Sequence, residues 1–348
     1  MSIDKQQIRR RALELILADG HRVGTRLAQA AGLSRQVANA YLQALLREGL
    51  VDAEGTTRAR SYRLKLLAEV ERRYPREGLQ EDLVWRELIA PVVARLPENV
   101  RNIWYYASTE MINNAIDHSG AREVQVGVRQ NALSTEVLVS DEGGGIFVKI
   151  QLALGLHDPR ESILELAKGK LTTAPENHTG EGIFFTSRAL DSFEIESHHL
   201  RFIHGQRGHD AIVQQALDTP GTQVRMRLAN DSPRIMREVF EAFTSPEENT
   251  FDKTVVPLHL AQYEGENLVS RSQAKRVAHR FERFKRVELD FAGVSEIGQA
   301  FADELFRVFA RAHPEIRITP INTEAAVAKM IRRVVSEGSA QRWTAPNS

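Results

Sequence analysis

Between Thr109 and Gly120 the chain reads TEMINNAIDHSG. Glu110, Asn113, Asn114, Asp117 and His118 stand there among Met111, Ile112, Ala115 and Ile116. Ile103, Ala107, Glu110, Asn114 and Asp117 recur at the spacing of one helical stripe, apolar at first and polar over its last two turns. Polar groups on a half-buried stripe cost free energy unless something satisfies them. A carboxylate in such a place can polarise a water or a hydroxyl. The alternative is a helix whose end is simply solvated. Two glycine-rich turns add to the case for a ligand. Asp141-Glu142-Gly143-Gly144-Gly145 lets a backbone approach something closely, and Gly180 and Gly182 ahead of a helix aim N–H groups at an anion such as phosphate.

The elements that must hold these groups follow from periodicity. Val124, Val126 and Val128 alternate, as do Val137 and Val139, so a hairpin follows the polar helix, and its second strand runs into Asp141. The stretch HTGEGIFFTSRALD opens a helix at Gly182, and DTPGTQVRMRL opens a strand at Gly221-Thr222.

These four pieces, in this order, resemble the motifs of the Bergerat-fold (GHKL, histidine-kinase-like) ATPases. The resemblance covers about residues 85–230 and implies an α+β sandwich that binds ATP with Mg²⁺. It matches Glu-x-x-x-Asn at Glu110 and Asn114, Asp-x-Gly-x-Gly at Asp141, Gly143 and Gly145, Gly-x-Gly at Gly180 and Gly182, and Gly-Thr at Gly221 and Thr222. By that resemblance Asn114 is the Mg²⁺ ligand, Glu110 the catalytic carboxylate and Asp141 the acceptor for the adenine amino group, with Thr222 supporting the adenine pocket. Asp117 fits the Asn-x-x-Asp pattern of the hydrolysing branches. Residues 147–179 then correspond to a lid, on whose loop Lys168 and Lys170 are candidates to neutralise a γ-phosphate. Thr179 joins the cofactor-binding set, and His178 is a weaker candidate. His118 reads as a cation at a helix C-terminus. The adjacent His198 and His199 point to opposite faces of a strand, which argues against a zinc site.

The 348 residues are too many for one ordinary domain, and 42% hydrophobic with 26% charged is a soluble, globular profile. There is no cysteine, hence no disulfide. A membrane span and a signal peptide are not expected, and a cytoplasmic location is. Net charge is zero, but residues 1–65 hold 12 Lys or Arg against 6 Asp or Glu. A basic head hints at nucleic acid.

That head reads as three helices, at 8–18, 25–31 and 34–47, followed by two short strands around Glu54-Gly55. The pattern describes a winged helix-turn-helix, and VGTRLAQAAGLSRQVANAYLQALLREGLV resembles bacterial regulators of that fold. The second helix of the pair is expected to enter the major groove. Val37, Tyr41 and Leu45 are expected inward and Arg35, Gln36, Asn39 and Gln43 outward, with Arg58 and Arg60 on the wing. Such modules also serve in protein docking and dimerisation. Residues 66–97 read as a helical connector. No histidine lies between His21 and His118, which argues against a phosphoacceptor hairpin.

In the tail, strands TVVPLHLA, RVELDFAG and IRITPIN alternate with helices, so residues 252–340 read as a small α/β domain with a mixed or parallel sheet. VELDFAGVSEIGQAFADELFRVF resembles the STAS domains of anti-sigma antagonists, and more closely the STAS-like domains of unknown function fused to GHKL domains. One departure stands out. STAS antagonists carry a phosphorylatable Ser or Thr where the next helix begins, but here the turn is Ile297-Gly298-Gln299-Ala300-Phe301.

The whole reads as a multidomain chain: a winged-helix head, a Bergerat-type sandwich and a STAS-like tail. The expected function is an ATP-binding, DNA-binding transcriptional regulator with slow hydrolysis or none. The alternative is an anti-sigma-type serine/threonine kinase acting on a partner protein. A third reading, an energy-coupled ATPase, would need a transducer domain with a phosphate-sensing lysine, unless Lys168 or Lys170 takes that part. The expected partners are DNA through the head, a protein through the tail and a second copy of the chain.

Overall fold

The computed structural model describes residues 5–56, 60–171, 180–205, 210–245, 250–262 and 266–337. The chain divides into two compact units. The first comprises Met1–Glu142, Leu190–Phe193 and Gln223–Arg234, and the second the remainder.

The first unit opens with helices α1 (Lys5–Ala18), α2 (Val23–Ala31) and α3 (Arg35–Arg47) and the antiparallel pair β1 (Val51–Glu54) and β2 (Ser61–Leu64). Ile8, Ala12, Ile16, Leu27, Leu42, Leu45 and Val51 form a core of their own. Gly32, at φ 63°, ends α2 with its N–H on Ala28 O, the left-handed closure that glycine allows at no steric cost. Strand β3 (Ala68–Pro75) follows and pairs antiparallel with β4 (Glu123–Gln130). This corrects the helical connector expected over 66–97. The segment is charge-rich, yet Val70 and Tyr74 lie opposite Val128 and Val124, and the ladder to β4 decides its state. Helix returns in α4 (Glu81–Val84) and α5 (Ala90–Val93), joined by a π-turn at Trp85–Ile89.

Helix α6 (Glu98–His118) packs on β4 and on β5 (Ser134–Asp141). Its buried face is Val100, Ile103, Trp104, Ala107, Ser108, Met111, Ile112 and Ala115. Arg76 closes its C-terminal end, donating to Ile116 O at 3.1 Å and Ala121 O at 2.7 Å. The hairpin expected from the alternating valines forms as β4–β5, with Val126 opposite Val139 and Val128 opposite Val137. The five-stranded sheet runs β3-β4-β5-β7-β6, where β6 is Ser192–Gly205 and β7 is Asp210–Ala229. Gly221 and Thr222 lie inside β7 rather than at the start of a strand, which corrects the expected boundary.

The second unit holds α7 (Ile146–Leu154), α8 (Glu161–Lys168), α9 (Gly182–Ala189) and α10 (Met236–Glu241). It also holds a three-stranded parallel sheet, ordered β10-β9-β8, of β8 (Lys253–Pro257), β9 (Arg286–Asp290) and β10 (Arg317–Ile321). Helix α11 (Arg271–Ala278) links β8 to β9. Helices α12 (Gln299–Asp303) and α13 (Ala310–Ala312), with a π-turn between them, link β9 to β10, and α14 (Ala325–Glu337) closes the chain's described part. Ser270 caps α11 in a reciprocal pair with Gln273. Val256, Val287 and Leu289 are fully buried, as continuous apolar strands of a covered parallel sheet must be. Phe184, Phe185, Phe243 and Phe251 stack edge-on or tilted between α9 and the approach to β8. No described helix is long and apolar enough to cross a membrane.

Candidate functional site

Helix α3 is set by its cap and by what it packs on. Val37 N donates to Ser34 Oγ at 3.2 Å, satisfying one of the free donors of the first turn. The inward stripe is Ala38, Leu42 and Leu45. This corrects the expectation for Val37, which is 43% exposed, and for Tyr41, which is half-buried. This stripe packs against α1 and α2, and the phase of α3 turns Ala38 rather than Val37 toward them. Arg35, Gln36, Asn39 and Gln43 are all exposed, as expected. Asn39 is partly committed, since a Cβ on Gly24 of α2 would meet Asn39 Oδ1 at 2.5 Å. Arg47 is exposed too and continues the stripe of Gln36 and Gln43 at i+11 and i+4. Sequence reasoning passed over it, although helical spacing alone was enough to find it.

Much of the head's basic charge is used internally. Arg9 pairs with Glu48, Arg10 with Glu14 and Asp231, Arg26 with Asp19, and Arg63 of the wing with Asp52 and Glu54. Arg9 holds the Glu48 carboxyl below its ordinary value. Among the described residues Arg22 and Arg35 are exposed and have no carboxylate partner, while exposed Arg47 interacts with the neighbouring Glu48 carboxylate. Arg60 lies over the Tyr62 ring at 5.4 Å, and Arg58 falls outside the described residues.

In the same unit the polar stripe of α6 leaves the core gradually. Ile103 and Ala107 are buried, Glu110 and Asn114 half-buried and Asp117 exposed. The Asn114 side chain makes no hydrogen bond among the described residues, so its amide oxygen is available to a ligand. Asp141, 8% exposed, ends β5, the strand on which α6 packs.

In the second unit two glycine pieces meet. Ile146 N, at the start of α7 just after Gly143-Gly144-Gly145, donates to Thr222 Oγ1 at 3.0 Å. Ser197 Oγ donates to Gly221 O at 2.7 Å. Gly145 sits at φ 79°, and a Cβ there would meet Ser197 Oγ and His198 Nε2 at 2.6 Å. Packing against the chain's own β6 is therefore reason enough for that glycine. Gly180 has φ 73° and pairs through its carbonyl with Leu171 N at 3.0 Å, and Gly182 is the first residue of α9. Thr179 and His178 fall outside the described residues.

Lys168 departs from the loop expected for it, whereas Lys170 lies on the loop just after α8. Lys168 ends α8 and is fully buried. Its ammonium donates to Glu165 Oε1 at 2.7 Å and His279 O at 2.9 Å. Arg280 joins through Glu165 Oε2 at 2.9 Å, and His279 Nδ1 lies 3.2 Å from Glu165 Oε1. Burial pushes the Glu165 carboxyl up, but Lys168, His279 and Arg280 outweigh it and hold it at about 2. Lys170 Nζ donates to Arg283 O at 2.9 Å and lies over the rings of Phe251 and Phe284. In this arrangement both lysines serve packing between α8 and the tail, with no ammonium left facing a loop.

At the tail's switch position, Gly298 is the N-cap of α12 without a side-chain cap, and its N–H donates to Leu268 O at 2.8 Å. A Cβ at Gly298 would meet Val269 Cα at 2.7 Å and Val269 O at 2.8 Å. The turn thus lacks a hydroxyl and also the room for one.

A capped, outward-facing second helix with a short wing, joined in one chain to a small parallel α/β domain, defines a multidomain protein with a DNA-binding head. The comparisons agree at both ends. Residues 5–52 match the winged helix-turn-helix DNA-binding family, and residues 273–328 match a STAS-like domain of unknown function. No curated protein matches the chain.

Proposed function

We propose that this protein is a transcriptional regulator that binds duplex DNA through α3 and its wing and whose DNA binding responds to Mg-ATP. The observation that carries the DNA part is the exposed polar face of α3, Gln36, Gln43 and Arg47, opposite the buried Ala38, Leu42 and Leu45. Side chains of this kind reach base edges and phosphates in the major groove. The exposed Arg22, Arg35 and Arg47 suit the charge of the DNA backbone.

The nucleotide part rests on the motif resemblance, and the placement of Glu110 and Asn114 on one half-buried helix face supports it. Asn114 would supply an oxygen to Mg²⁺, an ion that takes few protein ligands and keeps several waters. Bound Mg²⁺ would neutralise phosphate charge. Glu110 would orient a water, with slow turnover or none. Asp141 would accept from the adenine amino group. Lys168 has no part in this reading. The tail serves as a protein-docking module without a phosphorylation switch.

The test is fluorescence anisotropy of the full chain on a labelled duplex across a salt series, with and without Mg-ATP, with γ-labelled ATP assayed alongside. Salt-sensitive binding that shifts with Mg-ATP, and no labelled protein, supports the regulator. Label on the protein or on a partner, lost in Glu110→Ala, would replace it with the kinase reading.

A further inference from the structure

We propose that Val37 reads thymine: the DNA site taken by α3 sets a thymine C5-methyl against the Val37 isopropyl group. This rests on the DNA-binding reading above. Val37 lies in the first turn of the helix, directly after the Ser34 cap, and is 43% exposed. First-turn residues of the second helix are those that reach base edges in this type of module. Its exposed neighbours Gln36 and Ala40 flank it on the same outward surface.

The chemistry of the major groove makes the assignment specific. Guanine, adenine and cytosine present only donors and acceptors there, and thymine alone adds an apolar methyl. A valine has no hydrogen bond to offer, so against a polar edge it leaves that edge unsatisfied. Against a thymine methyl both groups leave water. Charge argues for DNA as the occupant of this helix surface, because exposed Arg35 at its start has no carboxylate partner among the described residues and Arg47 at its end is exposed as well.

The experiment selects sites for the full chain from a randomised duplex library. Each thymine of the selected site is then replaced by uracil, which removes only the C5-methyl. Affinities are measured for the wild type and for Val37→Ala, with helix content checked by circular dichroism. At one thymine per half-site, uracil should weaken wild-type binding about 4-fold, the worth of one buried methyl. The same replacement should leave Val37→Ala unchanged. If Val37→Ala keeps the uracil penalty at every position, or no thymine is selected, the inference is overturned. If the chain binds no duplex at all at low salt, the DNA-binding reading itself falls, and this inference falls with it.

Discussion

The ammonium of Lys168 donates to Glu165 Oε1 at 2.7 Å, one helical turn back on α8, with both side chains out of water. Arg280, from the other side, completes a buried group of one carboxylate between two basic side chains. Such a group contributes little net stability over an apolar core of equal volume, but breaking it is costly. Here it fastens α8 to the segment following α11, and Thr254 Oγ1 of β8 adds a bond to Lys168 O at 2.7 Å. A sequence feature that looked like phosphate chemistry is structural.

Glu165→Ala should therefore be among the most damaging single substitutions in the second unit. It leaves Lys168 and Arg280 buried without a counter-charge, at a cost of about 3–5 kcal/mol. Urea denaturation followed by tryptophan-independent circular dichroism reads this, and an unchanged midpoint would refute the burial of the group.

The same group predicts acid sensitivity. The Glu165 carboxyl is held at about 2, below its ordinary 4.5, so its contribution is complete above about pH 4.5. It is lost as pH falls from there through about 2, because the unfolded chain then binds the proton more readily. Wild type should lose stability over this range more steeply than Glu165→Gln, as measured by denaturant midpoints at pH 6, 4 and 3.

Gly298→Ser restores the hydroxyl that STAS antagonists carry, yet it should not restore a switch. The new Cβ meets Val269 backbone at 2.7 Å, and backbone does not yield as a flexible side-chain end would. A loss of about 1–3 kcal/mol is expected from the overpacking. Mass spectrometry after incubation with Mg-ATP should find no phosphate at position 298.

On the DNA side, Arg47→Ala should weaken binding about equally on all duplexes and lower the salt slope by about 1, the mark of one lost phosphate contact. Gln36→Ala should instead relax selectivity at a single position of the selected site. Anisotropy titrations across a salt series separate the two effects.

For the nucleotide, Asn114→Ala should abolish Mg²⁺-dependent ATP binding while leaving the fold intact, since its side chain bonds to nothing among the described residues. Isothermal titration calorimetry with and without Mg²⁺ checks this. Affinity equal to wild type in both conditions would remove Asn114 from the cofactor set.

The sequence by itself determined whatever depends on neighbours along the chain. Ser34 before a periodic run announced the start of α3. The alternating valines announced the β4–β5 hairpin, and the emergence of the 103–117 stripe from core to solvent was readable from residue types at helical spacing. The strand–helix alternation of the tail foretold a mixed or parallel sheet, and the structure makes it parallel. What only the tertiary structure decided depends on what lies across from a residue. Residues 68–75 have no strong preference and become a strand because β4 offers a ladder. Val37 and Tyr41 have the size of core residues, but the way α3 packs on α1 and α2 turns Ala38, Leu42 and Leu45 inward instead. Lys168 reads as a solvated loop cation until Glu165 and Arg280 enclose it. Local pattern fixes which face of an element can be buried. The partner that buries it, and much of the charge it meets there, come from other elements of the fold.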